Sequence, residues 1–183
     1  ARAFALAEAT VGAGARHRTV ACITLGTGVG GGAVIDGRPI TGRDGRAGEV
    51  GHLIVEPGGE RCRCGGLGCL EAYAGGRSLA EAAGLPSPKD VFDAARAGDD
   101  RARALVDRAA HALAIAIANI ALLLDPDVVV IGGGVGAALD DLRPGLTATL
   151  ARQTTVLPSV TIVPASLGEH AGAIGAALWK DHP

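Results

Sequence analysis

Methionine, dense runs of basic residues and long apolar segments are all missing from this 183-residue sequence. Its 15 arginines and 2 lysines are dispersed and the formal net charge is −2, which argues against a nucleic-acid-binding surface in this segment. The most apolar stretch, residues 112–124, contains Asn119 and is too short to cross a bilayer. Residues 1–10 lack the basic start and apolar run of a secretory signal. The sequence therefore predicts a cytoplasmic protein that binds neither membranes nor, through this segment, nucleic acid.

The missing methionine also bears on where the natural chain begins. The opening residues, ARAFALAEATVGAG, have a helical pattern, but no N-cap residue precedes them. Because translation starts with methionine and helices usually start with a cap, we expect an upstream part of the protein to be absent from this sequence.

Apolar residues and glycine are abundant. Apolar residues make up 48% of the chain, which excludes a disordered protein. The length of 183 residues allows one large domain or two small ones. The 29 glycines are about twice the usual ~7% share. Such a chain must use many tight turns or close backbone approaches.

Hydrophobic patterning predicts an α/β domain. A helix at residues 2–11 precedes a buried strand at 19–26, and two further strands are joined by a tight turn at Asp36-Gly37. Helices and strands then alternate, at residues 99–124, 127–136, 137–152, 159–165 and 169–181. The long helix ends in apolar turns, so that end is expected to be buried. Hairpin strands followed by strand–helix alternation predict a mixed sheet.

Three of the four cysteines, Cys62, Cys64 and Cys69, occur within eight positions and follow His52 in the pattern H-x9-C-x-C-x4-C. Three thiolates and one imidazole form a common closed shell for structural zinc. The alternative is a disulfide with a spare thiol, but a Cys62–Cys64 bridge would be strained and a reducing compartment disfavours any bridge. The sequence therefore favours zinc, while Cys22, alone in a buried strand, is interpreted as a core residue.

A zinc site would also explain the long aperiodic loop of residues 41–70. Loops of this length within compact domains are usually functional or need a crosslink, and metal binding can order residues that lack secondary structure of their own. A metal-bound imidazole keeps a second nitrogen for another partner, which at His52 could be a substrate oxygen.

The motifs around this loop resemble the signature of the ROK family of repressors, open reading frames and sugar kinases. GEVGHLIVEP (residues 48–57) and CRCGGLGCLEAYAGG (residues 62–76) carry the resemblance, and the cysteine motif is its most specific part. LGTGVGGGAVIDGRPITGRDGRAGEVGH and VVVIGGGV extend the similarity over the whole chain. The resemblance implies an actin-like, ribonuclease-H-like fold of two α/β domains with ATP and sugar in the cleft between them. It places residues 1–183 in the larger, C-terminal domain, with residues 41–75 as the zinc loop and the N-terminal domain absent.

The resemblance also assigns roles to particular residues. It implies zinc held by His52, Cys62, Cys64 and Cys69, and sugar hydroxyls bound by Glu49, His52 and Glu71. Carboxylates suit sugar hydroxyls because each can accept two charge-assisted hydrogen bonds. The alternatives are a helix-capping role for Glu71 and a solvated loop charge for Glu49. Kinase members of the family use ATP and Mg²⁺, and members are commonly homo-oligomers, either dimers or tetramers.

Two glycine-rich segments are candidates for nucleotide binding. The first contains Gly26, Thr27, Gly28, Gly30, Gly31 and Gly32 and is predicted to form the turn between two strands. Backbone amides there can approach phosphate oxygens and Thr27 adds a hydroxyl, although the segment lacks the lysine of a Walker loop. An ordinary glycine-rich hairpin is the alternative. The second segment, with Gly133 and Gly134, follows a strand and borders the adenosine in the family; its alternative is a close-packed turn.

Three functions are compatible with these motifs. The first is ATP-dependent phosphorylation of a hexose such as glucose, with N-acylated hexosamines as further candidates. The second is a sugar-responsive transcriptional repressor, although the threonine and glycines of GTGVGGG favour the kinase. The third is a sugar-binding module without activity. In the family the catalytic base is an aspartate that aligns immediately before Ala1, so this chain alone is expected to be inactive.

Overall fold

The computed structural model describes residues 1–152 and 159–179. The strands are β1 (Thr19–Leu25), β2 (Val29–Ile35), β3 (Arg38–Pro39), β4 (Val128–Gly132) and β5 (Ile162–Pro164). The α-helices are α1 (Arg2–Val11), α2 (Leu70–Ala74), α3 (Gly76–Ala83), α4 (Pro88–Arg96), α5 (Asp100–Leu124), α6 (Leu139–Leu150) and α7 (Ala171–Leu178). The last helix is predicted to continue to residue 181, and that end lies outside the described residues.

These strands form one mixed sheet in the order β3-β2-β1-β4-β5. β1 pairs antiparallel with β2, and β2 with β3, whereas β4 runs parallel to both β1 and β5. The turn between β2 and β3 places Asp36 and Gly37 at φ values of 50° and 74°, the left-handed conformation that glycine adopts freely. The predicted α/β domain, with a hairpin first and strand–helix alternation after it, is confirmed.

Helices cover both faces of the sheet. On one face α1 packs against Val20, Cys22 and Val130. On the other face α2 and α5 share a larger core with Ile23 and Ile131. Cys22 is 1% exposed, and burial raises the pKa of its thiol to about 12. Its position agrees with the predicted core role.

The end of α5 differs from the expectation that it is buried. The middle of the helix lies in the core, but Leu122 and Leu123 are 50% and 78% exposed. Only one stripe of a helix can face the sheet, and these two positions lie opposite the buried Ile120 and Ala121. By length and apolar composition α5 could cross a membrane, but 61% of its most apolar window is buried within the fold, as expected of a core helix.

The glycines of β2 differ from expectation as well. Gly30, Gly31 and Gly32 are predicted to lie in the turn, but they lie inside the strand and pair with β1. A Cβ at Gly32 would lie 2.9 Å from the Cβ of Ala5 in α1, and one at Gly31 would lie 2.6 Å from the Val50 side chain. Because these glycines have no side chain, α1 and the long loop can pack directly on the strand. The turn itself consists of residues 26–28 only.

Glu8 is a charged residue with no exposed surface. Its carboxylate accepts hydrogen bonds from the Ala13 amide at 2.8 Å and the Leu167 amide at 2.9 Å, and from the amide and hydroxyl of Ser166. A buried carboxylate is tolerated only when its oxygens are satisfied in this way. Glu8 therefore fastens α1 to the segment after β5, across 158 positions of sequence.

Replacing Glu8 by alanine should lower the free energy of unfolding by about 2–4 kcal/mol, because several partly buried donors lose their acceptor. Urea unfolding followed by circular dichroism measures this change. Glu169→Gln is the matched control, since Glu169 is an exposed acid in the neighbouring turn and should change the free energy by less than about 0.5 kcal/mol. Equal urea midpoints for the two variants would show that the hydrogen bonds of Glu8 do not stabilise the contact between α1 and the segment after β5.

Candidate functional site

The long loop between β3 and α2 carries the candidate metal ligands. Its regular structure is a single 3-10 turn, Val50–His52. Two isolated β-bridges fold the loop back on itself, Ile54↔Cys69 and Arg61↔Leu67. Gly65 and Gly68 take left-handed φ values of 95° and 76°, which allow the sharp reversals between the cysteines.

His52, Cys62, Cys64 and Cys69 converge in this loop. One potential ligand atom from each residue lies within 4.8 Å of the others. The Sγ atoms of Cys64 and Cys69 are 3.7 Å apart, and the Sγ atom of Cys62 is 3.9 Å from Nδ1 of His52. All four cysteines of the chain are free, so the cluster contains no disulfide. Because Nδ1 of His52 faces Cys62, Nε2 is the ring nitrogen that is left for a second partner.

The donor set and its spacing fit a tetrahedral zinc ion. With Zn–S bonds of about 2.3 Å, two thiolates of a tetrahedral site lie about 3.8 Å apart, close to the 3.7 Å between Cys64 and Cys69. Cys62 and Cys69 are buried, whereas Cys64 and His52 are exposed. A zinc ion bound here would offset most of the charge of the three thiolates and crosslink the loop, and four protein ligands would leave it no open position for catalysis.

The thiols of the cluster differ in acidity. Burial raises the pKa of the Cys69 thiol to about 12, whereas the backbone amide of Gly66 lowers the pKa of Cys64 below its ordinary value. Zinc binds the deprotonated thiolate, so loading the cluster would release protons.

Glu71 lies in the first turn of α2, two residues after Cys69. Its Oε2 atom accepts a hydrogen bond of 2.9 Å from the amide of Val29, the first residue of β2, and its Oε1 atom is 4.0 Å from Cys62 Sγ. A Cβ at Gly28 would lie 2.4 Å from Oε2. The carboxylate therefore reaches from the cysteine cluster to the β1–β2 turn, and this hydrogen bond does not cap its own helix.

Glu49 is exposed and immediately precedes the 3-10 turn that contains His52. It lines a cavity of about 310 Å³ together with Ala1, Gly31 and Trp179. Glu71 lines a different cavity, of about 260 Å³, on the α2–α3 side of the loop. Glu49 and Glu71 therefore line different cavities, one on each side of the segment that carries the cysteines in sequence.

The β1–β2 turn and the segment after β4 meet at one cavity. Gly26, Thr27 and Gly134 line it, and its volume is about 680 Å³, within the range of small-molecule sites. Gly133 has a φ of 89°, and a Cβ there would lie 2.4 Å from the carbonyl oxygen of Leu25. Both predicted glycine segments thus contribute to the same cavity. The segment after β4 can approach β1 this closely because residue 133 is glycine; a side chain there would be strained.

Sequence reasoning missed the other residues that line this cavity. They are Gly76, Arg77, Ala80, Glu81, Gly84, Leu85, Pro86 and Pro88. The carboxylate of Glu81 pairs with Arg63 at 2.5 Å, so Arg77 is the lining residue that brings positive charge. The available signal was the Gly75-Gly76 pair between two short helical segments, which lets α3 begin directly against the turn.

The ROK family model matches residues 1–182, and the chain belongs to the ROK family. The chain is 39% identical over 200 residues to a glucokinase from Thermotoga maritima, an alignment that covers 97% of this chain and 62% of that protein. It is 41% identical over 165 residues to an N-acetylmannosamine kinase from Haemophilus influenzae, covering 86% of this chain and 53% of that protein. The chain therefore spans between about half and three fifths of the length of these relatives.

Solved structures show the same similarity. The ROK hexokinase from Thermus thermophilus has a TM-score of 0.89 and 40% identity, with 97% of this chain and 62% of that chain covered. A ROK family glucokinase from Streptomyces griseus in complex with glucose and AMPPNP has a TM-score of 0.83 and 35% identity, covering 97% and 65%. A ROK family transcriptional regulator, a homologue of the E. coli MLC protein, has a TM-score of 0.83 and 32% identity, covering 98% and 50%. The predicted actin-like fold is confirmed.

Proposed function

We propose that the intact protein is an ATP-dependent hexose kinase, and that this chain supplies its nucleotide cavity, its zinc loop and part of its sugar site. The main support for the proposal is that the glycine-lined cavity and the His/Cys cluster are structurally connected. The cavity of about 680 Å³ contains both glycine segments, and Glu71 joins the adjoining turn to the His/Cys cluster. The proposal includes a cytoplasmic homo-oligomer, a dimer or a tetramer.

In this proposal ATP occupies the cavity with its phosphates at the β1–β2 turn. Thr27 in this turn is exposed. The Thr27 hydroxyl and the neighbouring backbone amides can therefore donate hydrogen bonds to phosphate oxygens. Arg77 adds a positive charge beside the turn, and Mg²⁺ would accompany the phosphates. Leu85 offers an apolar surface for the base. The complex of the Streptomyces griseus glucokinase with AMPPNP supports this assignment.

The sugar would bind at the zinc loop, close enough to the β1–β2 turn for its hydroxyl to approach the γ-phosphate of ATP. Glu49 and Glu71 would accept hydrogen bonds from sugar hydroxyls, and Nε2 of His52 would complete the set while Nδ1 faces the thiols. Ala1 lines the cavity that contains Glu49. A residue joined to Ala1 would therefore lie beside this cavity, where the family resemblance expects the aspartate that takes the proton of the sugar hydroxyl.

The decisive test is ADP release by the zinc-loaded protein extended upstream of Ala1, with glucose and N-acetylmannosamine as separate substrates. We expect sugar-dependent ADP release with at least one of them, accompanied by formation of the sugar phosphate. Sugar binding without ADP release would contradict the kinase proposal.

A repressor is the second candidate, favoured by the similarity to the ROK family transcriptional regulator. The two candidates differ at the nucleotide cavity. A kinase must bind AMPPNP with Mg²⁺, whereas a sugar-responsive repressor needs only the sugar and a DNA-binding segment. The β1–β2 turn, with its short Gly-Thr-Gly sequence and its large adjoining cavity, supports the kinase.

Glu71→Gln should weaken sugar binding by about tenfold or more while sparing zinc and nucleotide. The change removes one charged acceptor, which typically contributes about 1.5–3 kcal/mol, but the glutamine carbonyl can still accept from the Val29 amide. Calorimetry with glucose, metal analysis and AMPPNP titration measure the three properties. Unchanged sugar affinity would exclude Glu71 from the sugar site.

A further inference from the structure

The segment of residues 69–77, called here the connecting segment, joins the cysteine cluster to the nucleotide cavity. It starts at Cys69, the N-cap residue of α2, and runs through α2 into the first residues of α3. Its two ends therefore lie in the two sites that the proposed function assigns to zinc and to ATP.

At its downstream end the connecting segment holds the β1–β2 turn through two backbone hydrogen bonds. The amide of Gly76 donates to the Gly26 carbonyl at 2.8 Å, and the amide of Arg77 donates to the Thr27 carbonyl at 3.0 Å. A Cβ at Gly76 would lie 2.7 Å from the Gly26 carbonyl oxygen. The turn and α3 are thus in direct backbone contact, and a larger residue would separate them.

Glu71 holds the other end of the same turn. Its Oε2 atom accepts from the Val29 amide at 2.9 Å, immediately after the turn, and Gly28 leaves room for that carboxylate. Three hydrogen bonds from one segment therefore fix both ends of a turn of residues 26–28.

At its upstream end the connecting segment packs in the core through Leu70, Tyr73 and Ala74 and is also hydrogen-bonded to the loop. α2 has five residues, far fewer than an isolated helix needs to be stable in water. Two hydrogen bonds join α2 to the loop: the amide of Leu70, its first residue, donates to the Leu53 carbonyl at 2.9 Å, and the hydroxyl of Tyr73, its fourth residue, accepts from the Glu60 amide at 2.7 Å. Both partners belong to the loop that the metal would crosslink.

We propose that metal occupancy of the cysteine cluster sets the geometry of the β1–β2 turn and thereby nucleotide affinity, with the connecting segment as the physical link. Glu71 is then a positioning residue for the nucleotide site, in addition to its place beside the sugar. The inference rests on the proposed function for the identity of the nucleotide, but the link between cluster and turn does not depend on it.

The test measures AMPPNP–Mg²⁺ affinity without sugar, and amide hydrogen exchange at residues 26–29, in the zinc-loaded full-length protein. The zinc-loaded parent is compared with the chelator-treated protein and with the Glu71→Ala and Glu71→Gln variants. Chelation and Glu71→Ala should each weaken AMPPNP binding by about 5- to 20-fold, in keeping with the loss of hydrogen bonds to a charged acceptor, and should speed exchange at Val29. Glu71→Gln, which keeps an acceptor for Val29, should stay within about twofold of the parent.

Unchanged exchange at Val29 and unchanged AMPPNP affinity after chelation would overturn the link. Exchange in β4 serves as the monitor of global folding. If chelation also speeds amide exchange in β4, the chelated protein is globally destabilised and the zinc-loaded Glu71→Ala and Glu71→Gln variants provide the test instead. Equal AMPPNP affinity and equal Val29 exchange in these two variants would overturn the proposal. If the zinc-loaded parent binds no AMPPNP, the kinase assignment fails, while Val29 exchange still tests the link.

Discussion

The 183-residue chain by itself should release no measurable ADP with glucose, while the protein extended upstream of Ala1 should do so. Phosphoryl transfer requires a base beside the attacking hydroxyl, and the family resemblance assigns that base to an aspartate immediately before Ala1. Base catalysis and substrate positioning together contribute many orders of magnitude. We therefore expect a loss of more than about 10⁴-fold.

A coupled ADP-release assay on both proteins measures the difference, with zinc content matched between them. The control is AMPPNP binding, which the short chain should retain because the glycine turn, the segment after β4 and α3 all lie within it. Sustained sugar-dependent ADP release from the short chain would show that the base lies within residues 1–183 and would overturn its assignment.

Cys64→Ser should reduce bound zinc from one equivalent to a small fraction and increase hydrogen exchange throughout residues 41–75. A serine hydroxyl is a poor zinc ligand compared with a thiolate, and three remaining donors leave the tetrahedral shell open. Cys64 is exposed, so the substitution removes no core packing. The loop has little regular structure of its own, so its order should depend on the metal.

Cys22→Ser is the matched control for this experiment. It also exchanges a thiol for a hydroxyl, but Cys22 lies in β1 and its Sγ atom contacts the Ala5 carbonyl, away from the cluster. Zinc content should stay at one equivalent in this variant, although burying a hydroxyl should lower its stability somewhat. If Cys64→Ser keeps full protection of residues 41–75, the loop is ordered without the metal.

Local patterns were sufficient for much of the fold and for the outline of the site. The buried strand β1, the Asp36-Gly37 turn and the His52–Cys69 spacing each depend on residues close in sequence, where propensity and spacing act directly. The cysteines could be grouped for the same reason, because a metal shell requires ligands that one loop can bring together.

Contacts between distant segments could not be predicted in this way. Gly30–Gly32 look like a loop, but their conformation is decided by α1 and the long loop packing on β2. The hydrogen bond from Val29 to Glu71 spans 42 positions, and the one from Ser166 to Glu8 spans 158. Such contacts follow from the tertiary arrangement. The hydrophobic periodicity of strands (two residues) or helices (3.6 residues) does not predict them.

Trp179, the chain's single tryptophan, lines the same cavity as Glu49 and Ala1. In this chain the intrinsic tryptophan fluorescence therefore reports on one place, without the averaging that several indoles would cause. A sugar that enters beside Glu49 would change the polarity around that indole, whereas a nucleotide at Thr27 and Gly134 would bind in a separate cavity. This 183-residue chain thus carries its own optical probe, which can separate occupancy of the two cavities without a label.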